Sequence, residues 1–588
     1  MESNKDAIDY ISTLLDSGKY KEALGVLSDT KYVNSFQDYC WDLIPVVLGK
    51  IQDDTIIVRP SLYGACEDLL IAIIQKTTPE EALLEFIEQI ELAKNDSQFG
   101  LILGPLQGLL KKLIVKKGSG RSLEWCLNSI SIYIETIPIP EHHLEGQERL
   151  LLDSDVNIRR IIRVYTLLLP FYKPFVKDLC SDDSNAKLSN VRSKQVIAAF
   201  LTSLLGKPLV YLDMDPVSNE KSEAHECCSV IIQDICVLEK NVWKLIQLLD
   251  ICSKENLKSK LKPSKDSGEE VTPYEQREKI NMTTLSGLTY AVFSGHFNVQ
   301  DMAVPQIYSI EYIVHTLLLS AVHLLSFSEY GPLAKAIVLC NVIKNYMPVF
   351  SSHIMLTSSV HFDLCKALTN VAIYSVYEQI RKSAVNFLGC YINKFDYKGR
   401  CMLIKYLIES ANHSGMIGYA ITLYKDSVDH AFKDPFLNDC FCGAHLASMI
   451  KKICHLPHGA ESDLVELADQ IITTLNFLRY LTLKDVTNKT GIKECFAFIE
   501  TDYLDNLRTG LNMSKAHYEL KLKDLEEGKK LADEKLSVSI NIGGTLLDKI
   551  PKKNQKEIIS SALNAFHLIE GLVARLSECM NMNKVLIV

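Results

Sequence analysis

The stretch "TPEEALLEFIEQIELAK" runs from Thr78 to Lys94 and decides the fold class. Thr78 suits an N-cap, Pro79 suits the first helical position, and Glu81 three residues on completes a capping box. Leu83, Phe86, Ile87, Ile90 and Leu92 then recur at helical spacing and mark one apolar face. Outward from this segment the same periodicity predicts helices at Asp6–Leu15, Gln37–Ile51, Ser61–Gln75, Ser97–Val115 and Arg121–Ile137. It persists to "SALNAFHLIEGLVARLSE", Ser561–Glu578.

Connections are short, so consecutive helices are antiparallel neighbours. A long run of such hairpins describes an all-α chain, an α-solenoid of degenerate HEAT-like helical repeats. No strict repeat period is present, and "DSGKYKEALGVL" near the start only echoes a tetratricopeptide motif. One stretch breaks the pattern. "SKENLKSKLKPSKDSGEEVTP", Ser253–Pro273, is rich in Lys, Ser and Glu and reads as a polar linker or long loop. It divides the chain into an N-terminal region, 1–252, and a C-terminal region, 274–588, where partner binding is expected. Smaller polar breaks fall at Ser181–Ser189 and Asp215–Ser222. "LSVSINIGG", Leu536–Gly544, alternates and suggests a short β-ribbon.

Composition narrows the function. The 588 residues are 47% hydrophobic and 23% charged, with a net charge of −9 and no basic stripe, which argues against a dedicated nucleic-acid binder. The 18 Pro and 27 Gly are too few for an all-β chain of this length. The 17 Cys contain no CxxC; Cys227-Cys228 and Cys440-x-Cys442 are too close for zinc-site spacing. They read as reduced thiols of an intracellular protein. "MESNKDAIDY" is not a secretory signal. The most apolar helix, Tyr308–Phe327, carries Glu311, His315 and His323, so a buried helix is expected there and not a membrane span.

Catalytic motifs are weak. "LVYLDMDP", Leu209–Pro216, could set Asp213 as nucleophile and Asp215 as acid/base, as in haloacid-dehalogenase phosphatases. That chemistry needs the end of a parallel strand, and the flanks here are helical, which favours a polar loop. "KGSGRS", Lys117–Ser122, follows a helix, so it reads as an interhelical turn and not a phosphate loop. "EHH", Glu141–His143, has adjacent residues that diverge on any regular backbone, and a solvated loop is expected. No GxSxG or HExxH occurs. No enzyme, cofactor or metal is expected. Without a catalytic constellation, a solenoid works by surface, as a scaffold or adaptor for protein complexes or as an inhibitor that covers a partner's working face.

Within the C-terminal region, "GLNMSKAHYELKLKDL", Gly510–Leu525, carries two apolar stripes at 100° per residue. Leu511, Tyr518, Leu522 and Leu525 share one side; Met513, Ala516 and Leu520 lie nearly opposite. Either the helix is sandwiched between layers, or one stripe enters the core and the other is left for a partner. In "LPHGAESDLVELADQIITTLNFLRYL", Leu464, Leu467, Ile471, Leu475 and Leu478 form a core stripe with Arg479 on its flank. In "NHSG", Asn412–Gly415, Ser414 is placed to cap the next helix and Gly415 to relax the turn.

Several of these motifs, in this order, resemble the glomulin family: "YINKFD" (Tyr391–Asp396), "NHSG", "LPHGAESDL" (Leu456–Leu464), "LNFLRYL" (Leu475–Leu481), "GLNMSKAHYE" (Gly510–Glu519) and "SALNAFHLIEGLVAR" (Ser561–Arg575). "LTYAVFSGHF" (Leu288–Phe297) and "VPQIYSIEYI" (Val304–Ile313) fit the same family more loosely. The resemblance covers about half of the chain. It implies a non-enzymatic HEAT-like protein that binds the RING-box subunit of cullin-RING ubiquitin ligases, and through it cullins. Such a protein masks the docking surface of the ubiquitin-conjugating enzyme. With the resemblance, the expected contact residues are Arg479, Asn512, Lys515, His517, Tyr518 and Arg575. A monomer when unbound, in the cytoplasm or nucleus, without nucleic acid or membrane, completes the expectation.

Overall fold

The computed structural model describes residues 2–29, 42–117, 120–180, 189–214, 222–261, 280–299, 308–434, 438–526, 541–542, 545–546 and 552–585. These form two compact units. The first takes Met1–Tyr346 with Val376–Ile380, and the second takes Met347–Ser375 with Arg381–Val588.

The first unit contains helices α1 (Glu2–Asp16), α2 (Tyr20–Val26), α3 (Leu43–Leu48), α4 (Pro60–Lys76), α5 (Pro79–Glu91), α6 (Asp96–Lys117) and α7 (Gly120–Glu135). It continues with α8 (Val156–Cys180), α9 (Ser189–Ser203), α10 (Glu223–Leu238), α11 (Leu248–Leu261), α12 (Met282–Phe293), α13 (Ile310–Leu324) and α14 (Tyr330–Tyr346). Helices α4, α6, α8 and α10 pack in sequence as one layer, and α5, α7 and α9 as the other. Across the layers α5 meets α6, α6 meets α7, α8 meets α9 and α9 meets α10, and each helix meets its next-but-one neighbour within a layer, which is the arrangement of a helical-repeat stack.

The local chemistry explains the layers. In α5, Leu83, Phe86 and Ile90 are buried, as the spacing predicts. Thr78 is the N-cap and Pro79 opens the helix; the Thr78 hydroxyl bonds the Glu81 carboxylate and not a backbone N–H. Leu92 departs from the expected face. It lies one residue past the last helical turn and is 59% exposed. In α8, Pro174 cannot donate to the carbonyl of Pro170. Gln107 of α6 supplies the missing donor, its Nε2 reaching the carbonyls of Pro170 at 2.9 Å and Phe171 at 2.6 Å. A proline break is thus converted into a cross-helix tie.

Of the proposed linker, residues 253–261 continue α11, and 262–273 lie outside the described residues. The compact units divide at Tyr346–Met347 instead. The reason is aromatic: Trp243, before the segment, packs on Phe293, Tyr308 and Tyr312, after it, at 5.6–6.0 Å between ring centroids. Helix α11 also packs on α12 and α13, so core contacts cross the polar stretch.

The second unit contains α15 (Val360–Tyr374), α16 (Glu378–Ile392, of which the part from Arg381 belongs here), α17 (Tyr397–Ser410), α18 (Ser414–Ala431), α19 (Gly443–Ile453) and α20 (Ala468–Lys484). It ends with α21 (Asp505–Glu526) and α22 (Lys552–Val585). Packing runs α15 on α17, α17 on α18, α18 on α20, and α20 on α22, with α21 laid along α22. The architecture is all-α, with degenerate HEAT-like helical repeats. Its one described sheet is the pair β1 (Asn541–Ile542) and β2 (Thr545–Leu546), antiparallel, with Asn541 opposite Leu546. The expected ribbon at Leu536–Gly544 thus begins only at Asn541 among the described residues and extends past Gly544.

The "YINKFD" motif is a junction. Tyr391 and Phe395 are fully buried, and Asp396 caps α17 by accepting from the Gly399 amide at 2.7 Å. The same carboxylate accepts from the His353 amide at 3.0 Å. In "NHSG" the cap is His413, and Ser414 is already helical; its Oγ accepts from the Gln470 amide at 3.0 Å. Ser414 therefore joins α18 to α20 instead of capping its own helix.

Candidate partner-binding surface

Helix α21 starts at Asp505, five residues before Gly510, so this glycine lies inside the helix. A Cβ there would stand 2.7 Å from the carbonyl oxygen of Ala460, in the 3-10 turn Gly459–Glu461. Only a bare backbone lets α21 approach that turn. The contact fixes the rotation of the helix, and with it which stripe is covered. Leu507 and Leu511 are buried, as is Tyr518, whose ring meets Phe566 of α22 edge-on at 5.3 Å. Leu522 and Leu525 are half-buried. The opposite stripe is open: Met513 is 53% and Leu520 59% exposed, and Ala516 lies exposed between them.

Polar ties hold α21 to α22 along one seam. Lys515 pairs with Glu570, Lys556 with Glu526 at 2.7 Å, and Arg508 reaches Ser577 at 2.6 Å and Glu500 at 2.8 Å. Each surface pair contributes little alone, but together they align the two helices. Helix α22 turns Ile559, Phe566, Ile569, Val573, Leu576 and Met580 inward, packed on α20 and α21. Its segment Gln555–Met582 is the one described helix long and apolar enough to cross a membrane, by length and composition; the buried seam just named supplies part of that apolarity.

The expected contact residues separate into four groups. Asn512 and Arg575 are exposed, the latter on the face of α22 opposite its buried seam. Lys515 is engaged with Glu570. Tyr518 is committed to the core, where burial pushes its hydroxyl up to about 12. His517 and Arg479 are half-buried, with the His517 Nε2 and the Arg479 Nε sealed from solvent and without a hydrogen-bond partner among the described residues. Burial, then the neighbouring Lys521, holds the His517 imidazole below its ordinary value, so it is neutral near pH 7. The open stripe of Met513, Ala516 and Leu520 was visible as a periodicity. The residues expected as contacts on α21 lie on its flanks or, for Tyr518, on the covered stripe, because only the Gly510 contact decides which stripe faces out.

The other motifs carry structural duties. Asp213 accepts from Arg149 Nε at 2.6 Å, both side chains are 10% exposed, and the guanidinium lies 5.2 Å from the centre of the Tyr330 ring. A carboxylate so engaged is a counter-ion and not an open nucleophile; Asp215 lies outside the described residues. Within "EHH", the His142 carbonyl accepts from the Tyr377 hydroxyl at 2.7 Å, and the stretch is a loop. Cys442 donates weakly to the Asn438 carbonyl at 3.4 Å and Cys401 to that of Cys440 at 3.7 Å. Among the described residues no group of three or more His, Cys, Asp and Glu is placed to hold a metal ion.

Comparison with known proteins gives a consistent result. A family model described as an uncharacterised protein family, YAP/Alf4/glomulin, matches residues 293–555, which include α21. The chain is 28% identical over 584 residues to glomulin of Mus musculus, covering 96% of this chain and 91% of that one. Identity to glomulin of Homo sapiens is 28% over 578 residues, with the same coverage. The match runs through the N-terminal region, which carries none of the motifs quoted above. Among solved structures, a circular tandem repeat protein with novel repeat topology aligns at a TM-score of 0.23 and 10% identity, covering 97% of this chain and 98% of that one. The karyopherin Kap121p, bound to the extreme C-terminus of the protein phosphatase Cdc14p, aligns at 0.22 and 10% identity, covering 97% and 60%. The fold is carried by the helix packing itself.

Proposed function

Because the chain is similar to glomulin over 96% of its length and to the YAP/Alf4/glomulin family model over residues 293–555, we propose that it is a non-enzymatic regulator that binds the RING-box subunit of cullin-RING ubiquitin ligases. In this reading it masks the docking surface of the ubiquitin-conjugating enzyme and so inhibits ubiquitin transfer. The observation that carries the proposal is the open stripe of Met513, Ala516 and Leu520 on a helix whose other stripe is locked into the core. A rigid helix with an exposed Met and Leu, flanked by Asn512, offers a preformed apolar anchor with a polar rim. Occlusion needs no chemistry. It requires only that the bound helix and the conjugating enzyme compete for one face, so affinity translates directly into inhibition. The unbound protein is a monomer in this reading and acts in the cytoplasm and nucleus.

The test is a RING-box pull-down with the full chain, followed by discharge of ubiquitin from its conjugating enzyme. Met513→Ser with Leu520→Ser removes the anchor without touching the core, and is expected to weaken capture about tenfold or more while leaving thermal stability unchanged. Normal discharge in a saturated wild-type complex would sink the masking mechanism. Undiminished capture by the double variant would move the interface away from α21.

A further inference from the structure

The first unit carries a surface that the reading above does not use. Helices α5 and α7 lie side by side in one layer. Ser129 of α7 donates to the Glu91 carboxylate of α5 at 2.9 Å, which sets their register. One turn to either side of Ser129, Trp125 is 42% and Ile132 52% exposed; on α5, Leu84 is 57% exposed and Leu92 closes the helix. Four large apolar side chains therefore stand open on two neighbouring helices of one stack. Isolated exposed apolar residues are ordinary, whereas a group that includes a Trp marks an interaction surface.

The frame around them is acidic. Glu80, Glu81, Glu88 and Glu91 are exposed on α5, and Glu135 is exposed at the end of α7. Among the described side chains, the basic groups flanking these helices include Lys94, Arg121 and Lys76, the last bonded to the Leu27 carbonyl, and Arg192 is paired with Glu124. Burial raises the Glu85 carboxyl above its ordinary value; a bond from Gln89 lowers it, and the neighbouring Glu88 and Asp42 add smaller upward pushes. A surface of this kind repels phosphate backbones and anionic headgroups.

We propose that the α5–α7 face is a second docking surface, and that its occupant is a basic amphipathic segment of a partner protein. Lysine or arginine side chains of the segment pair with Glu80, Glu81, Glu88 and Glu91. Its apolar side chains seat among Leu84, Leu92, Trp125 and Ile132. At 1.5 Å per residue the 13-residue α5 is about 20 Å long, so a partner helix of about four turns covers it.

The experiment uses the full chain and a fluorescein-labelled leucine–lysine amphipathic peptide of about four turns, read by anisotropy at ~0.15 M salt. A leucine–glutamate peptide of the same pattern is the control. The lysine peptide is expected to bind. Glu88→Lys and Trp125→Ser should each weaken it about tenfold, whereas Glu557→Lys, an equal charge change at an exposed position of α22, should leave it within about twofold. Glu88 is exposed on α5, so its variant reads binding even if Trp125→Ser disturbs the fold. Equal effects of Glu88→Lys and Glu557→Lys would overturn the proposal in favour of adsorption to a negatively charged protein. Equal binding of the glutamate peptide would overturn it too, as would a dimer in sedimentation that Glu88→Lys dissolves, which would make a second copy of this chain the occupant.

Discussion

Gly510→Ala sets two effects of opposite sign against each other in one helix. In a helix interior, Ala is favoured over Gly by about 1 kcal/mol. Here the new methyl would stand 2.7 Å from the Ala460 carbonyl oxygen and 3.4 Å from Leu464 Cδ1. A carbon–oxygen contact is comfortable at about 3.3–3.6 Å, so the helix or the turn must yield by about 0.6–0.9 Å. The turn is poorly placed to yield. The Ser462 hydroxyl ties it twice, accepting from the His458 amide at 3.0 Å and donating to the Gly459 carbonyl at 2.9 Å. Overpacking of this kind costs about 2–3 kcal/mol at a site that cannot relax. The net expectation is a loss of about 1–2 kcal/mol. Gly571→Ala in α22 is the internal control, since nothing lies within 4 Å of its Cβ position; it should gain about 0.5–1 kcal/mol. A chain of two units is not expected to unfold in one step, so the assay is amide hydrogen exchange resolved to α21 and α22. Protection of α21 should fall roughly 5- to 30-fold in Gly510→Ala and should not fall in Gly571→Ala. Equal gains in protection in both variants would refute the reasoning, because the approach of α21 to the turn would then be loose.

Two further outcomes follow from buried polar groups in the first unit. Asp213→Ala removes the carboxylate partner of Arg149 in a site only 10% exposed, and should cost about 3–5 kcal/mol in the thermal unfolding of this unit; a loss under about 1 kcal/mol would mean that solvent screens the pair. His323 contacts Thr283 Oγ1 through Nε2 at 2.9 Å, and burial lowers its imidazole to about 4. The unfolded value is about 6.5, so on acidification the unfolded chain takes the proton first. Stability of the first unit should therefore fall by about 3 kcal/mol as pH drops from 6.5 to 4, and level off below that. His323→Gln should flatten this part of the pH profile; an unchanged slope would assign it to other groups.

The helical class was legible because α5 and its neighbours carry three- and four-residue spacing, and burial of Leu83, Phe86 and Ile90 follows that spacing. Leu92 shows its limit: the pattern continues one residue past the helix, where the chain has already turned and the side chain is left outside. In α21 the periodicity gave both stripes correctly and could not rank them. Their amphipathic content is nearly equal, and the choice rests on a backbone contact with Ala460, fifty residues away. Tyr518 and Lys515 illustrate the same gap. An aromatic and a cation beside an apolar stripe look alike in sequence whether they meet a partner, Phe566 or Glu570. Ser414 misled for a related reason, since its hydroxyl serves the Gln470 amide of another helix. The polar stretch at 253–273 reads as a boundary by composition, yet Trp243 finds its aromatic partners beyond it.

The return of Val376–Ile380 to the first unit has a consequence for how the protein is made. Most ties in the α4–α10 stack join residues 35 to 70 positions apart, as do Ser129 with Glu91 and Gln107 with Pro170, so this stack can consolidate while synthesis continues. The bonds from Tyr377 to His142 and from the Gln379 amide to Glu145 span 235 and 234 positions. At roughly 5–20 residues per second, about ten to fifty seconds separate the translation of the two ends. During that interval the loop at His142–Glu145 waits for its partner, and Met347–Ser375, the opening segment of the second unit, is translated before the first unit is closed. The two units are thus interleaved in order of synthesis, and a ribosome pause once Ile380 has left the exit tunnel would protect the closure of the first.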